Sequence, residues 1–311
     1  MGVKIAVIGV GHLGSHHARL LASLPGAELV GVADRDSERA REVGTLHGVP
    51  GYSDAGSLDR GTRAAVVAVP TDSHHRVAMD CLERGWDLLV EKPLASTSAQ
   101  GREMVEEAQR RGRILQAGHT ERYNPAVREA LSRVRRPRFL EVHRLGTFAA
   151  RSLDVDVILD LMIHDLDIAL SLDSSGVDSV AAVGVSALTD KMDIANARLG
   201  FRSGCVANLT ASRISTDRVR KIRIFQADSY LSVDSALQEL VHFRLERQGD
   251  APPSIVRVAS EVEREEPLRA ELRDFLRAVE ARGRPLVAGS DGLAALELAE
   301  RVGRAIVEAG K

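Results

Sequence analysis

The sequence predicts a two-domain α/β protein, with a parallel sheet covered by helices at the amino-terminal end and a strand-rich second region closed by two helices. Three observations carry this. The chain has 311 residues, more than one hydrophobic core usually spans. Its first 118 residues alternate short apolar, largely β-branched runs with helical stretches, the pattern of βαβ units. Near residue 120 that alternation stops, and one long apolar helix is left among strands.

In chain order, strands are expected at residues 3–8, 28–33, 64–69, 88–90 and 114–117, separated by helices at 15–24, 37–47, 73–84 and 97–111. The runs read as strands buried on both faces, as a parallel sheet requires. Residues 138–257 read mainly as strands around a helix at 155–172, and helices at 267–282 and 291–308 follow. The expected domains are 1–120 and 121–311, with the closing helices able to pack back on the first. Residues 248–253 are the expected flexible loop.

Forty-two Lys and Arg against 44 Asp and Glu give a net charge of −2, which argues against nucleic-acid partners. Cys81 and Cys205 have no zinc or redox spacing. No leader pattern or run of about 18 apolar residues occurs, so a cytoplasmic protein without a membrane partner is expected.

"VIGVGHLGSHHARL", residues 7–20, ends the first strand in a glycine turn and opens a helix. Gly9 permits the sharp exit, Gly11 lets a pyrophosphate approach the backbone, and Gly14 allows close helix packing. The helix start, with His12 and Leu13, adds free N–H groups and partial positive charge. Alone, such a turn is also compatible with a tight corner. Asp34, 20 residues after Gly14 at the end of the second strand, suits the adenosine ribose hydroxyls and repels a 2′-phosphate. NAD is therefore the expected cofactor. NADP stays open, because Arg35 can stack on adenine or pair with that phosphate.

"DLLVEKPLA", residues 87–95, ends a strand in Glu91-Lys92-Pro93. Ligands bind at the carboxyl ends of such strands, and the proline keeps Lys92 extended. A solvated Glu/Lys pair is the competing reading. Together with the loop "VPTDSHH", these motifs resemble the glucose-fructose oxidoreductase and inositol dehydrogenase (Gfo/Idh/MocA) family over essentially the whole chain. The resemblance implies a Rossmann domain followed by an α/β domain with an open, mostly antiparallel sheet. It implies that Lys92 polarises the reacting hydroxyl, that its proline peptide is often cis, and that Pro70, Thr71, His74 and Glu91 lie along the cofactor.

In "DVDVILDLMIHDLDIALSL", residues 154–172, Asp160, His164, Asp167 and Ser171 share one side at about 100° per residue. Apolar residues cover the rest. Imidazole and carboxylates on a buried helix are costly unless paired or serving a site. His164 suits a general base, and Asp160 one turn earlier can hold its tautomer; a satisfied core histidine is the alternative. The Asp-x-x-x-His spacing resembles the family's catalytic pair, although "RSLDVDVILD" stands where many members have a glycine-rich lead-in. Asp165 has no role in this reading. His12, His16 and His17, and the pair His74 and His75, lack ligand partners in metal spacing, so no metal is expected.

"GHTERYNPAV" and "ASRISTDRVRKIRIF" concentrate arginines in a balanced chain. Guanidinium forks suit phosphates, and Arg122, Tyr123, Asn124 and Arg213 are the expected substrate contacts. Arg220 and Arg223 read as solvated. These segments resemble the branch of the family that oxidises UDP-N-acetylglucosamine to its 3-keto form. A myo-inositol or aldose dehydrogenase and a non-catalytic NAD(P)- and sugar-binding regulator are the alternatives. A sheet with one uncovered face leads us to expect a homodimer or homotetramer.

Overall fold

The computed structural model describes residues 2–58, 61–148, 155–247 and 253–310. The expected flexible loop, apart from Pro253, and residues 151–154 of the helix lead-in lie outside the described residues. The chain forms two compact units, residues 1–120 with 266–296, and 121–265 with 297–311.

The first unit runs β1 (Val3–Ile8), α1 (His12–Leu21), β2 (Ala27–Ala33), α2 (Ser37–His47), β3 (Gly51–Tyr52), β4 (Ala64–Val67), α3 (Thr71–Glu83), β5 (Asp87–Glu91), α4 (Ser98–Arg110) and β6 (Leu115–Gly118). Its six strands lie in the order β3-β2-β1-β4-β5-β6, and every pair is parallel. β4, β5 and β6 are buried throughout, which is why they read as short, mainly apolar runs. The two-residue edge strand β3 is too short to show any periodicity, and the sequence reading missed it.

The second unit contains α5 (Pro125–Arg133), β7 (Phe139–Leu145), a π turn at Ile158–Met162 leading into α6 (Ile163–Leu172), and β8 (Val177–Val185), β9 (Ile194–Phe201), β10 (Val206–Ser212), β11 (Val219–Phe225), β12 (Ser229–Asp234), β13 (Glu239–Glu246) and β14 (Ser254–Val258). Its eight strands are ordered β14-β13-β12-β11-β7-β10-β9-β8. Among the described strands only β7 and β10, the fifth and sixth in that order, pair parallel. Burial alternates along β7, β9 and β11, as in a sheet covered on one face. α6 and the π turn pack on β7 and β10.

Two helices, α7 (Pro267–Ala281) and α8 (Gly289–Ala309), follow. α7 presents Leu272, Phe275, Leu276 and Val279, a helical i, i+3, i+4, i+7 stripe, to the core formed by β1 and α1 of the first unit. Burying four such side chains contributes on the order of 6–12 kcal/mol as an upper bound. Residues 266–296 therefore group with the first unit; the sequence reading drew its break at residue 120 and left the closing helices able to pack back on the first domain. α5 was also missed, although its signal was present: Asn124 accepts a hydrogen bond from Ala126 N at 3.1 Å, and Pro125 takes the first helical position.

Candidate active site

In the first unit, the three glycines of the turn do three different things. Gly9 has φ +84°, and a Cβ there would sit 2.6 Å from the Ala68 carbonyl oxygen. At Gly14 a Cβ would fall 1.8 Å from the Gly9 oxygen, so α1 lies directly against the strand exit. A Cβ on Gly11, by contrast, meets no protein atom. Gly11 caps α1 without a side-chain hydrogen bond and lines a cavity of about 520 Å³ with Gly9, Asp34, Arg35 and Pro70. An open backbone position at a helix start, beside a carboxylate, fits the pyrophosphate and ribose of a dinucleotide. His12 and Leu13 are exposed at the first two positions of α1. Gly14→Ala is expected to abolish dinucleotide binding and to lower thermal stability; fluorescence titration and a melting curve check both.

Asp34 is fixed by the backbone. Its Oδ2 accepts from Val10 N at 2.8 Å and its Oδ1 from Asp36 N at 2.9 Å. Arg35 is exposed. Arg39, which the sequence reading passed over, lines the same cavity, with Nη1 3.8 Å from Asp34 Oδ2. Its signal was its place in the first turn of the helix that Asp36 caps.

Around Lys92 the side chains mostly hold backbone. Glu91 is buried; His17 Nε2 lies 2.7 Å from its Oε1, and its Oε2 accepts from Lys92 N at 3.3 Å. Gly118 makes room for it, since a Cβ there would lie 2.9 Å from Glu91 Oε2. His17 is the polar position on the otherwise apolar buried side of α1. His74 is buried between the carbonyls of Pro93, 2.8 Å from Nδ1, and Val69, 2.9 Å from Nε2. Burial lowers its pKa, opposed in part by those carbonyls, and a neutral ring donates to one of them at a time. His74 thus ties the loop after β4 to the residues following Lys92. Thr71 opens α3, Lys92 is half-buried, and the Lys92–Pro93 peptide is cis.

In the second unit, the 155–172 segment is not one uniform helix. Asp156 Oδ1 accepts from Ile158 N and Leu159 N, each at 3.0 Å, and a π turn precedes α6. Such turns recur at functional sites. Asp160 lies in the π turn and His164 in the first turn of α6, both half-buried.

Asp167 and Ser171, the rest of the polar stripe, serve Arg122. Its Nη1 donates to Asp167 Oδ1 at 3.1 Å and to Ser171 Oγ. Arg213 donates through Nη2 to the carbonyls of Val155 at 2.9 Å and Met192 at 3.1 Å, and pairs with buried Asp193. It holds the chain just before the π turn. Asn124 caps α5 and donates to Ser235 O at 2.8 Å. Arg122, Tyr123, Asn124 and Arg213 are all buried, at 9%, 2%, 3% and 6% exposure.

Asp165 now has a role. Its carboxylate receives Arg144 Nε and Nη2 at 2.7–3.0 Å, and Arg144 Nη1 reaches Glu121 Oε1 at 3.0 Å. Arg220, read as solvated, also meets Glu121, at 2.7 Å, and Arg223 meets Glu141, at 2.7 Å. Burial pushes the Glu121 carboxyl up, but Arg144 and Arg220 outweigh it and hold it down at about 2. Cys81 and Cys205 are buried thiols pushed up by burial to about 12 and about 11. Among the described residues, no group of three or more His, Cys, Asp or Glu is placed to hold a metal ion. No helix among them is long and apolar enough to cross a membrane.

Residues 3–119 match a family described as an oxidoreductase family with an NAD-binding Rossmann fold, and residues 126–229 match the Gfo/Idh/MocA C-terminal domain. UDP-N-acetylglucosamine 3-dehydrogenase of Acidithiobacillus ferrooxidans is 39% identical over 300 residues, spanning 94% of this chain and 95% of its own. The chain belongs to the Gfo/Idh/MocA family of NAD-binding oxidoreductases. A solved structure of that Acidithiobacillus enzyme superposes with TM-score 0.92 at 36% identity, covering 98% of both chains. Myo-inositol 2-dehydrogenase of Thermotoga maritima is 28% identical over 95% of this Gfo/Idh/MocA chain and 94% of its own. Levoglucosan dehydrogenase in complex with NADH has TM-score 0.87 at 18% identity over 99% and 98% of the two chains, a likeness of fold alone.

Proposed function

We propose that the protein oxidises a secondary hydroxyl of a sugar nucleotide with NAD, UDP-N-acetylglucosamine going to its 3-keto form. The similarity to the Acidithiobacillus enzyme across nearly the whole of both chains carries this reading. Lys92 of the Glu91-Lys92-Pro93 tripeptide and the Asp160-x-x-x-His164 pair, which resemble the family's catalytic residues, support it. Gly9, Gly11 and Gly14 would take the pyrophosphate beside His12 and Leu13, and Asp34 the adenosine ribose, with Arg35 against the adenine. Pro70 and Thr71 would line the cofactor, while Glu91 and His74 would hold the loop that carries Lys92.

NAD, when bound, supplies the hydride acceptor. The Lys92 ammonium then lowers the pKa of the reacting hydroxyl by favouring its alkoxide. His164 takes the proton. Asp160 orients the ring and stabilises the imidazolium. Arg122, Tyr123, Asn124 and Arg213 are retained as proposed substrate contacts. Phosphate at Arg122 would have to compete with Asp167 for the guanidinium.

The test is NAD reduction by UDP-N-acetylglucosamine, other UDP-sugars, free N-acetylglucosamine and myo-inositol. Turnover confined to UDP-sugars is expected. Faster turnover of myo-inositol would move the protein to that branch of the family, and binding without turnover would make it a regulator. We also propose a homo-oligomer formed through the half-covered face of the eight-stranded sheet. There Phe139, Phe225, Tyr230 and Phe243 form a row with centroid spacings of 5.7, 4.8 and 6.4 Å. Sedimentation of the purified chain gives the assembly size.

A further inference from the structure

A buried polar contact joins the helix proposed for the pyrophosphate to the strand end that carries Lys92. His17, in the middle of α1, is fully buried, and it shares that side of the helix with Gly14, Ala18, Leu20 and Leu21. Its Nε2 lies 2.7 Å from Oε1 of Glu91, the last residue of β5. Its Nδ1 has no hydrogen-bond partner among the described residues. An imidazole in such surroundings costs stability unless it is bonded, and Glu91 is the group it bonds. The other Glu91 oxygen, Oε2, accepts from Lys92 N at 3.3 Å. A second acid, Glu271 of α7, is fully buried nearby, where the Thr120 hydroxyl donates to its Oε2 at 3.0 Å. Burial first, and then the Glu91 carboxylate, push the Glu271 carboxyl well above the usual carboxylate range, against the pull of Thr120. Held neutral, it is the weaker acceptor and does not contend with Glu91 for the imidazole.

We infer that His17 is a positioning residue for Lys92: through Glu91 it ties the helix that receives the pyrophosphate to the backbone that carries the ammonium. The inference rests on the reading that α1 takes the pyrophosphate and that Lys92 acts on the reacting hydroxyl. His74 holds the chain after Lys92, its Nδ1 2.8 Å from the Pro93 carbonyl. His17 holds the chain before it. The N–H groups at the start of α1 set where the phosphates sit, so a fixed link from that helix to Lys92 keeps cofactor and ammonium in one register. Misplacing a reacting group by about 1 Å costs up to about a hundredfold in rate. Fully buried, His17 reaches neither reactant, and its effect runs through Lys92.

Two substitutions of similar polarity separate placement from mere stability: His17→Asn, whose amide is too short to reach Glu91, and His17→Gln, whose amide can reach it. His17→Asn is expected to slow hydride transfer in single turnovers by about ten- to a hundredfold, while the Kd for NAD moves by less than about threefold. His17→Gln should recover most of that loss. In a Lys92→Met background, His17→Asn should cost less than about twofold more, because the group it places is gone. A readout without turnover is acylation of Lys92 by acetic anhydride, measured by mass spectrometry against exposed Lys191. That ratio is expected to change by about threefold or more in His17→Asn and to return in His17→Gln. If His17→Asn does not fold, Glu91→Gln keeps the shape, removes the charge that receives the imidazole, and is expected to show the same loss and the same change in labelling. Unchanged rate and labelling in a folded variant, or a full loss added on top of Lys92→Met, overturns the inference. Wild type that binds NAD but reduces it with no sugar overturns the catalytic reading of Lys92 instead, and the labelling ratio still decides the link to His17.

Discussion

Lys92→Met is expected to slow NAD reduction by a sugar nucleotide by about 10²–10⁴-fold, the usual reach of one positioned acid–base group. Methionine keeps most of the stem and removes the ammonium, so the Kd for NAD should move by only about threefold. His164→Ala is expected to fall as far, and to lose the limb of the pH–rate profile that depends on an imidazole base. If both groups act on one hydroxyl, their effects are not independent. The double variant should then be within about tenfold of the slower single variant rather than the product of the two losses. Stopped-flow single turnovers on the four proteins measure this. Multiplying losses would mean that the residues act in separate steps.

The second large effect is on stability. Asp165→Ala is expected to destabilise the fold by about 3 kcal/mol, because Arg144, only 3% exposed, loses the acceptor of its Nε and Nη2 and keeps only Glu121, which it shares with Arg220. For a unit of this size that lowers Tm by roughly 10 °C. Replacing both partners, Asp165→Leu with Arg144→Met, should recover most of the loss, since a well-packed apolar pair is close to neutral relative to a buried ion pair. The same network makes a pH prediction through Glu121, held at about 2 when folded. An acid with a depressed folded pKa stabilises the fold above its unfolded value of about 4.3, and that contribution is lost as pH falls toward 2. Denaturant melts of wild type and Glu121→Gln from pH 5 to pH 2 should converge at the acid end. Parallel curves would contradict the assignment.

What was legible in the sequence was whatever periodicity or backbone chemistry dictates locally. β1, β4 and β5 are buried on both faces and read as apolar runs, Gly9 is required by its positive φ, and Gly14 by its contact with the Gly9 oxygen within the turn. The polar stripe of 160–171 was visible, but its division was not. Asp167 and Ser171 bind Arg122, and Asp165 binds Arg144, partners 45, 49 and 21 residues away in the chain. Pairing at such separations leaves no periodic trace. For the same reason the sequence showed Arg122 and Arg213 only as candidate substrate contacts and not the protein acceptors against which each is buried. Arg39 went unnoticed because an arginine in a first helical turn is ordinary until Asp34 is seen beside it. The grouping of α7 with the first unit depends on a stripe whose target is hundreds of residues upstream.

The most direct measurement is isotopic. UDP-N-acetylglucosamine deuterated at C3 is incubated with the protein and NAD, and the nicotinamide is examined by mass spectrometry and NMR. Deuterium at nicotinamide C4, with a 3-keto sugar nucleotide formed in equal amount, is the expected result. Reduced nicotinamide without the label, or no reduction although NAD is bound, would contradict hydride transfer from that carbon.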